Sequence, residues 1–181
     1  MAKTNLTIMP NGTFVINKAQ VLIGEWRNFS GRPDRFNKTN TDRYFHVALT
    51  EDEGQRLKDQ GYNVKYRDSR NESEPRLVFL KIFVKLDAPA GLKPSLWLTR
   101  KKGNPILMDE DIINQLDADN LERVKIRVRP YDWKLANGTS GRKAMLDRAY
   151  FTIEEDEFDA EFYDDSFESE YSGDEEILPF A

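Results

Sequence analysis

From Arg76 to Asp87 the chain alternates with period two. Leu77, Phe79, Lys81, Phe83 and Lys85 fall on one side, and Val78, Leu80, Ile82, Val84 and Leu86 on the other. The second set is wholly apolar and predicts a core face; the first is mixed and faces water or a ligand. The same period returns where Val124, Ile126, Val128 and Pro130 alternate with Arg123, Lys125, Arg127, Arg129 and Tyr131. Trp133 closes that arm, Asn137-Gly138-Thr139-Ser140-Gly141 makes the turn, and Ala144 to Ile153 returns, which predicts one long hairpin. Shorter strands are expected at Phe14–Ile16, Ala19–Trp26, Arg43–Leu49, Tyr62–Tyr66, Ser95–Thr99 and around Ile106–Leu107. Thr50-Glu51-Asp52-Glu53 spells a capping box that opens a helix, and Gly61 stands where such a helix should stop. A second short helix covers about Asp111–Leu116, with Asp109 as its cap.

About eight short strands and two short helices predict an all-β domain with short helical connections. A closed or partly open barrel is the economical architecture, because it leaves no long exposed edge. Residues 1–12 read as an N-terminal arm, 13–153 as the domain, and 154–181 as a tail.

Charge changes the picture most. The chain holds 27 Lys+Arg and 32 Asp+Glu, a net charge of −5. Thirteen of those acids, and no base, lie in the last 28 residues, so the body keeps 27 bases against 19 acids and stands near +8. A basic body with an acidic tail suggests polyanion binding beside an interaction segment. The tail cannot collapse on its own and is expected to be disordered alone. The chain has no cysteine and a single histidine, His46, which excludes disulfides, thiolate nucleophiles and multi-histidine or cysteine metal sites. No cofactor is implied, and neither is catalysis. Gly138 to Lys143 lacks the Gly-Lys-Ser/Thr ending of a phosphate loop, and Asp109-Glu110-Asp111 is explained by the dipole of the helix it opens. No stretch approaches the roughly 20 apolar residues of a membrane span. The N-terminus has no apolar signal core, so a cytoplasmic protein is expected.

The stripe Arg123, Lys125, Arg127, Arg129, Tyr131 and Trp133 lies on one face of one strand and runs for about 35 Å at about 3.3 Å per residue. Single-stranded nucleic acid needs this pairing, with cations tracking phosphates and aromatic faces accepting unstacked bases. Four more segments share it: Trp26, Arg27, Phe29, Arg32, Arg35 and Phe36 on a strand end and loop; Tyr62, Lys65 and Tyr66; Trp97 with Lys101 and Lys102; and Arg142 and Lys143 beside the hairpin turn.

These residues carry a resemblance to phage-encoded single-stranded DNA-binding proteins. It lies in Trp26-Arg27-Asn28-Phe29-Ser30-Gly31-Arg32, Leu49-Thr50-Glu51, Gly61-Tyr62-Asn63-Val64-Lys65, Arg127-Val128-Arg129-Pro130-Tyr131-Asp132-Trp133 and Ala149-Tyr150-Phe151-Thr152-Ile153-Glu154. The tip Asp174-Glu175-Glu176-Ile177-Leu178-Pro179-Phe180 is similar to the acidic end of bacterial single-stranded DNA-binding proteins. The resemblance implies an OB-like barrel that binds single strands without reading sequence. It also implies work in replication, recombination and repair in the host cytoplasm, and a tip that docks partner proteins. Two departures stand at the tip: Leu178 separates Ile177 from Pro179, and Ala181 follows Phe180. A rival from another class is a non-catalytic interaction protein whose tail binds a basic partner. Oligomeric state is left open, and a homo-oligomer is compatible with the sequence.

Overall fold

A computed structural model describes residues 5–33, 42–89, 91–99 and 104–153. The strands are β1 (Leu6–Ile8), β2 (Phe14–Ile16), β3 (Gln20–Val21), β4 (Arg27–Asn28), β5 (Arg43–Leu49), β6 (Lys65–Arg67), β7 (Leu77–Val84), β8 (Ser95–Thr99), β9 (Ile106–Leu107), β10 (Leu121–Lys134) and β11 (Ser140–Ile153). Two helices, α1 (Glu51–Asp59) and α2 (Glu110–Gln115), and a 3-10 turn at Gly24–Trp26 complete the described elements.

The sheet runs β1-β2-β10-β11-β7-β5-β3. It bends back on itself, since the Ala19 N–H, just ahead of β3, donates to Val124 O of β10 at 2.8 Å. The all-β, OB-like architecture is therefore as expected. The apolar face of β7 supplies Val78, Leu80, Ile82 and Val84 to the core, all buried, together with Phe45 and Val47 of β5 and Val124, Ile126 and Val128 of β10. In β11 the inward residues are Ala144 and Leu146, then Ala149 and Phe151. That phase change comes from a bulge: Arg127 pairs with Arg148 and Val128 with Leu146, leaving Asp147 as the extra residue.

The long hairpin pairs from Leu121/Ile153 out to Lys134/Ser140. Two further expectations hold in detail. Thr50 Oγ1 accepts from Glu53 N at 3.1 Å while Glu53 Oε1 accepts from Thr50 N at 2.9 Å, closing the capping box. Asp109 caps α2 by accepting from Ile112 N at 2.9 Å.

Two expectations are corrected. Residues 1–12 are not all a loose arm, because β1 pairs with β2 and Leu6 is fully buried in the core. The apolar alternation of Leu6 and Ile8 around Thr7 is too short to stand out in sequence. Ala19 to Trp26 is not one strand either. Gly24 takes φ +71°, which only glycine adopts at little cost, and there the chain leaves extended structure for the 3-10 turn.

Candidate nucleic-acid interface

The outward face of β7 lies at the centre of an aromatic and cationic track. Register places His46 beside Lys81, Tyr44 beside Phe83, and Ala48 beside Phe79 on β5. On the other edge of β7, Met145 of β11 stands beside Phe83, and β6 brings Lys65 beside Phe79. Across β11, Arg129 pairs with Met145 and Tyr131 with Lys143. Strands lie about 4.8 Å apart, so from β5 to β10 the track crosses roughly 15 Å of sheet, with Tyr44 buried at its edge.

Phe83 holds the middle of that track. Lys81 Nζ and Lys143 Nζ each lie 4.9 Å from the centroid of its half-buried ring. Lys81 also reaches 4.1 Å from the Tyr44 ring. Trp26 packs edge-on against Phe79 at 4.9 Å and His46 at 5.2 Å, with the Arg67 guanidinium 5.8 Å from its ring. His46 Nδ1 lies 2.7 Å from Trp26 O, to which it donates. Burial lowers the His46 pKa below its usual value, that hydrogen bond raises it, and the charge of Lys81 lowers it further. The imidazole is therefore a neutral floor element. Beside Phe83 opens a groove of about 1000 Å³, lined among others by Lys85, Leu92, Arg129, Tyr131, Lys143 and Met145. Four acids among the described residues share the groove: Glu110 is engaged by Arg43 Nη2 at 2.5 Å, Asp87 lies 3.9 Å from Lys85 Nζ, Asp109 caps α2, and Asp42 lines the wall beside Arg43.

Tyr131 is 52% exposed, and Trp133 lays its ring over Gly141, its cross-strand partner. A Cβ on Gly141 would stand 2.4 Å from Trp133 Cζ2, so the indole needs a glycine there. Arg129 lines the groove, and its Nη2 donates to Leu92 O at 3.1 Å.

The amino-acid sequence matches the family model described as "Putative phage ssDNA-binding domain" over residues 4–175. The chain belongs to the phage ssDNA-binding domain family. Among solved structures it is similar to the single-stranded DNA-binding protein of bacteriophage Enc34 in complex with ssDNA. That match has 11% identity and a TM-score of 0.52, and covers 86% of this chain and 95% of that one. A second structure of the Enc34 protein matches at 11% identity with a TM-score of 0.50, covering 92% and 97%. At such identity the likeness shows the fold. No curated protein matches the chain.

Within this family member, the candidate residues separate into distinct environments. Trp26, Lys65, Arg129, Tyr131 and Lys143 come together on the track, and Trp133 lies further along the same face of β10, against Gly141 near the hairpin end. Arg27 does not: it is buried, and its guanidinium donates to Leu22 O, Leu116 O and Asp119 O at 3.2, 3.0 and 2.8 Å. It satisfies backbone carbonyls after α2, and burial lowers its pKa against the raising charges of Asp117 and Asp119. Phe29 is also core, stacked on Phe45 at 5.0 Å and edge-on to Phe151 at 5.5 Å. The reason is Asp117, which accepts from Phe29 N, Ser30 N and Ser30 Oγ and folds the loop onto the barrel. Arg32 pairs with the same carboxylate at 2.5 Å.

Tyr62 and Tyr66 do not share an exposed face. Tyr62 is buried and donates to Gly12 O at 2.6 Å; burial pushes its pKa up to about 12. Tyr66 sits between the charges of Arg76 and Lys58, at 4.2 and 5.4 Å. Arg142 turns away from Lys143, chelating Asp132 at 2.7 and 3.2 Å and donating to Gln60 O. Arg123, Lys125 and Arg127 continue the stripe on the far side of Arg129, where Arg127 pairs with Asp147 at 2.5 Å. Trp97 stacks on Tyr150 at 6.3 Å, and its buried Nε1 has no hydrogen-bond partner among the described residues. Arg35, Phe36, Lys101, Lys102 and the tip Asp174–Phe180 lie outside the described residues.

Phe83, Lys81 and Phe79 were not singled out by sequence reasoning; Tyr44, beneath Lys81, is buried and packs under the track. The available signal was the mixed face of β7, whose aromatics and lysines share one side.

Proposed function

We propose that this chain binds single-stranded DNA along the β5–β7–β11–β10 face, without reading sequence and without catalysis. Phe83 carries the reading: a partly buried aromatic between two lysine ammoniums offers a base its accessible surface and the flanking phosphates their counter-charges. Tyr131 and Trp133 extend the stacking surface, and Lys81, Lys143, Arg129 and Lys65 follow the backbone. Family membership and the Enc34 fold support the same ligand. The role that fits is strand coating and protection during phage replication, recombination and repair.

We assign the acidic tail a second part. Its acids imitate phosphates and its Phe and Tyr residues imitate bases, and tethering gives it an effective concentration on the order of millimolar. It competes for the groove in the absence of DNA. Bound DNA releases it, and its tip becomes available to replication or repair partners.

The test is fluorescence anisotropy with a labelled oligothymidylate, with duplex as competitor. Contact with about four to six phosphates gives a log K against log salt slope of about −3 to −4. Lys143→Glu combined with Tyr131→Ala should weaken single-strand binding while leaving thermal stability near the parent value, because both side chains are exposed. A chain ending at Ile153 should bind more tightly at low salt. No single-strand preference, or a slope near zero, refutes the DNA reading and favours an interaction protein. Equal affinity with and without the tail refutes the competition.

A further inference from the structure

The cationic stripe of β10 is not one continuous site. At its middle, Arg129 donates to Leu92 O, which ties its guanidinium to the connection ahead of β8. Tyr131, Lys143 and Phe83 lie on one side of the tethered Arg129, and Arg127, Lys125 and Arg123 on the other. The second half has its own partners. Beyond the Asp147 bulge, β11 exchanges β7 for β8, which pairs Arg148 with Ser95, Tyr150 with Trp97 and Thr152 with Thr99. Register on the other edge pairs Lys125 with Tyr150 and Arg127 with Arg148. Lys125, Tyr150 and Trp97 therefore form one row across three strands, flanked by Arg123 and Arg148.

We infer that this row is a second single-strand contact surface, separate from the groove, that takes phosphates and one stacked base of the same DNA strand once the groove is filled. The proposal deepens the DNA-binding reading and rests on it for the class of ligand. Three observations carry it. Arg123, Lys125 and Arg148 are all exposed, and together they present three positive charges on one face. The rings of Trp97 and Tyr150 lie nearly parallel, 18° apart, and both are only partly buried, so a flat surface faces the same solvent as the cations. Finally, the Trp97 indole has an uncompensated cost, because its Nε1 is buried without a partner among the described residues. Phe or Leu would fill the position without that cost, so packing alone does not account for an indole. From Tyr131 to Lys125 the strand rises about 20 Å, so the two surfaces address different nucleotides of one strand.

The test compares two oligothymidylates against the full chain and a variant carrying Arg123→Ser, Lys125→Ser and Arg148→Ser. One oligonucleotide is about eight nucleotides long and the other about sixteen, within the range of site sizes for OB folds. The variant should bind the short one within about twofold of the parent. It should bind the long one at least tenfold more weakly, with a salt slope shallower by about 2, since each lost single-strand phosphate contact removes about 0.7. Tyr150→Leu, with an unchanged melting temperature, should weaken the long oligonucleotide only. Unchanged affinity and slope on the long oligonucleotide overturn the proposal. Equal weakening on both lengths also overturns it, because the cations would then act as a general field. Lys143→Glu is the separate control on the groove. Should it leave the short oligonucleotide unaffected while the triple variant weakens the long one, the groove reading fails and the second surface stands.

Discussion

Gly141→Ala tests whether the hairpin's end is built around the Trp133 ring. In the parent, the indole lies across Gly141, and an added Cβ would fall 2.4, 2.7 and 2.9 Å from Trp133 Cζ2, Cε2 and Nε1. Contacts under 3.0 Å do not persist, and three atoms of a rigid bicycle meet the methyl at once. Gly141 has no positive φ, so the alanine backbone itself is unstrained and the whole effect passes through the ring. The ring must swing off the strand. Overpacking of this kind costs about 1–3 kcal/mol, and the lower half applies here because Trp133 is only partly buried.

If Trp133 stacks a base, its displacement also removes about 1–3 kcal/mol of binding, roughly five- to 150-fold in affinity. The assay is a double-mutant cycle over Gly141→Ala and Trp133→Ala, reading melting temperature and anisotropy on oligothymidylate. With the indole gone, the added methyl meets no obstacle, and Gly141→Ala should cost less than about 0.5 kcal/mol. An equal cost of Gly141→Ala with the indole present and with it removed by Trp133→Ala would refute the clash. Full DNA affinity in both single variants would remove Trp133 from the interface.

Three further outcomes follow from the same geometry. Arg27→Met should destabilise the fold by about 2–4 kcal/mol in chemical denaturation, because it strands the carbonyls of Leu22, Leu116 and Asp119, with no loss of DNA affinity in the folded fraction. His46 has a folded pKa below its ordinary 6.5, so the unfolded chain takes up its proton first. Its contribution is complete above about pH 6.5 and is lost as pH falls below, at no more than about 1.4 kcal/mol per pH unit, and His46→Gln should flatten that part of the stability–pH curve. Gly54→Ala places a Cβ 2.5 Å from Val78 Cγ1, lifts α1 from β7 and should cost about 1–3 kcal/mol by thermal melting.

What could be read before the fold was known divides along physical lines. Period-two alternation is local, so β7 and β10 with their core faces were legible, as were the return strand β11 and the capping box of α1; the core face of β11 was not, because the Asp147 bulge shifts its phase. Long-range hydrogen bonding is not local. Nothing near Phe29 announces that Asp117, 88 residues away, will accept its N–H and draw the ring into the core. Nothing near Arg27 announces the carbonyls after α2, and a cation among aromatics reads alike whether it meets phosphate or backbone. The same limit explains Phe83. Its alternation put it on the mixed face, but only parallel pairing of β7 with β11 brings Lys143 beside it, and a parallel pair joins segments that sequence leaves far apart. The stripe on β10 shows both sides at once. Its residues do share one face, as period two requires. What interrupts them is Arg129, tethered to a backbone carbonyl at Leu92 in a connection whose path no periodicity encodes. Binding surfaces on a barrel are therefore legible strand by strand, whereas their extent is decided by which strands the register places side by side and which side chains the loops engage.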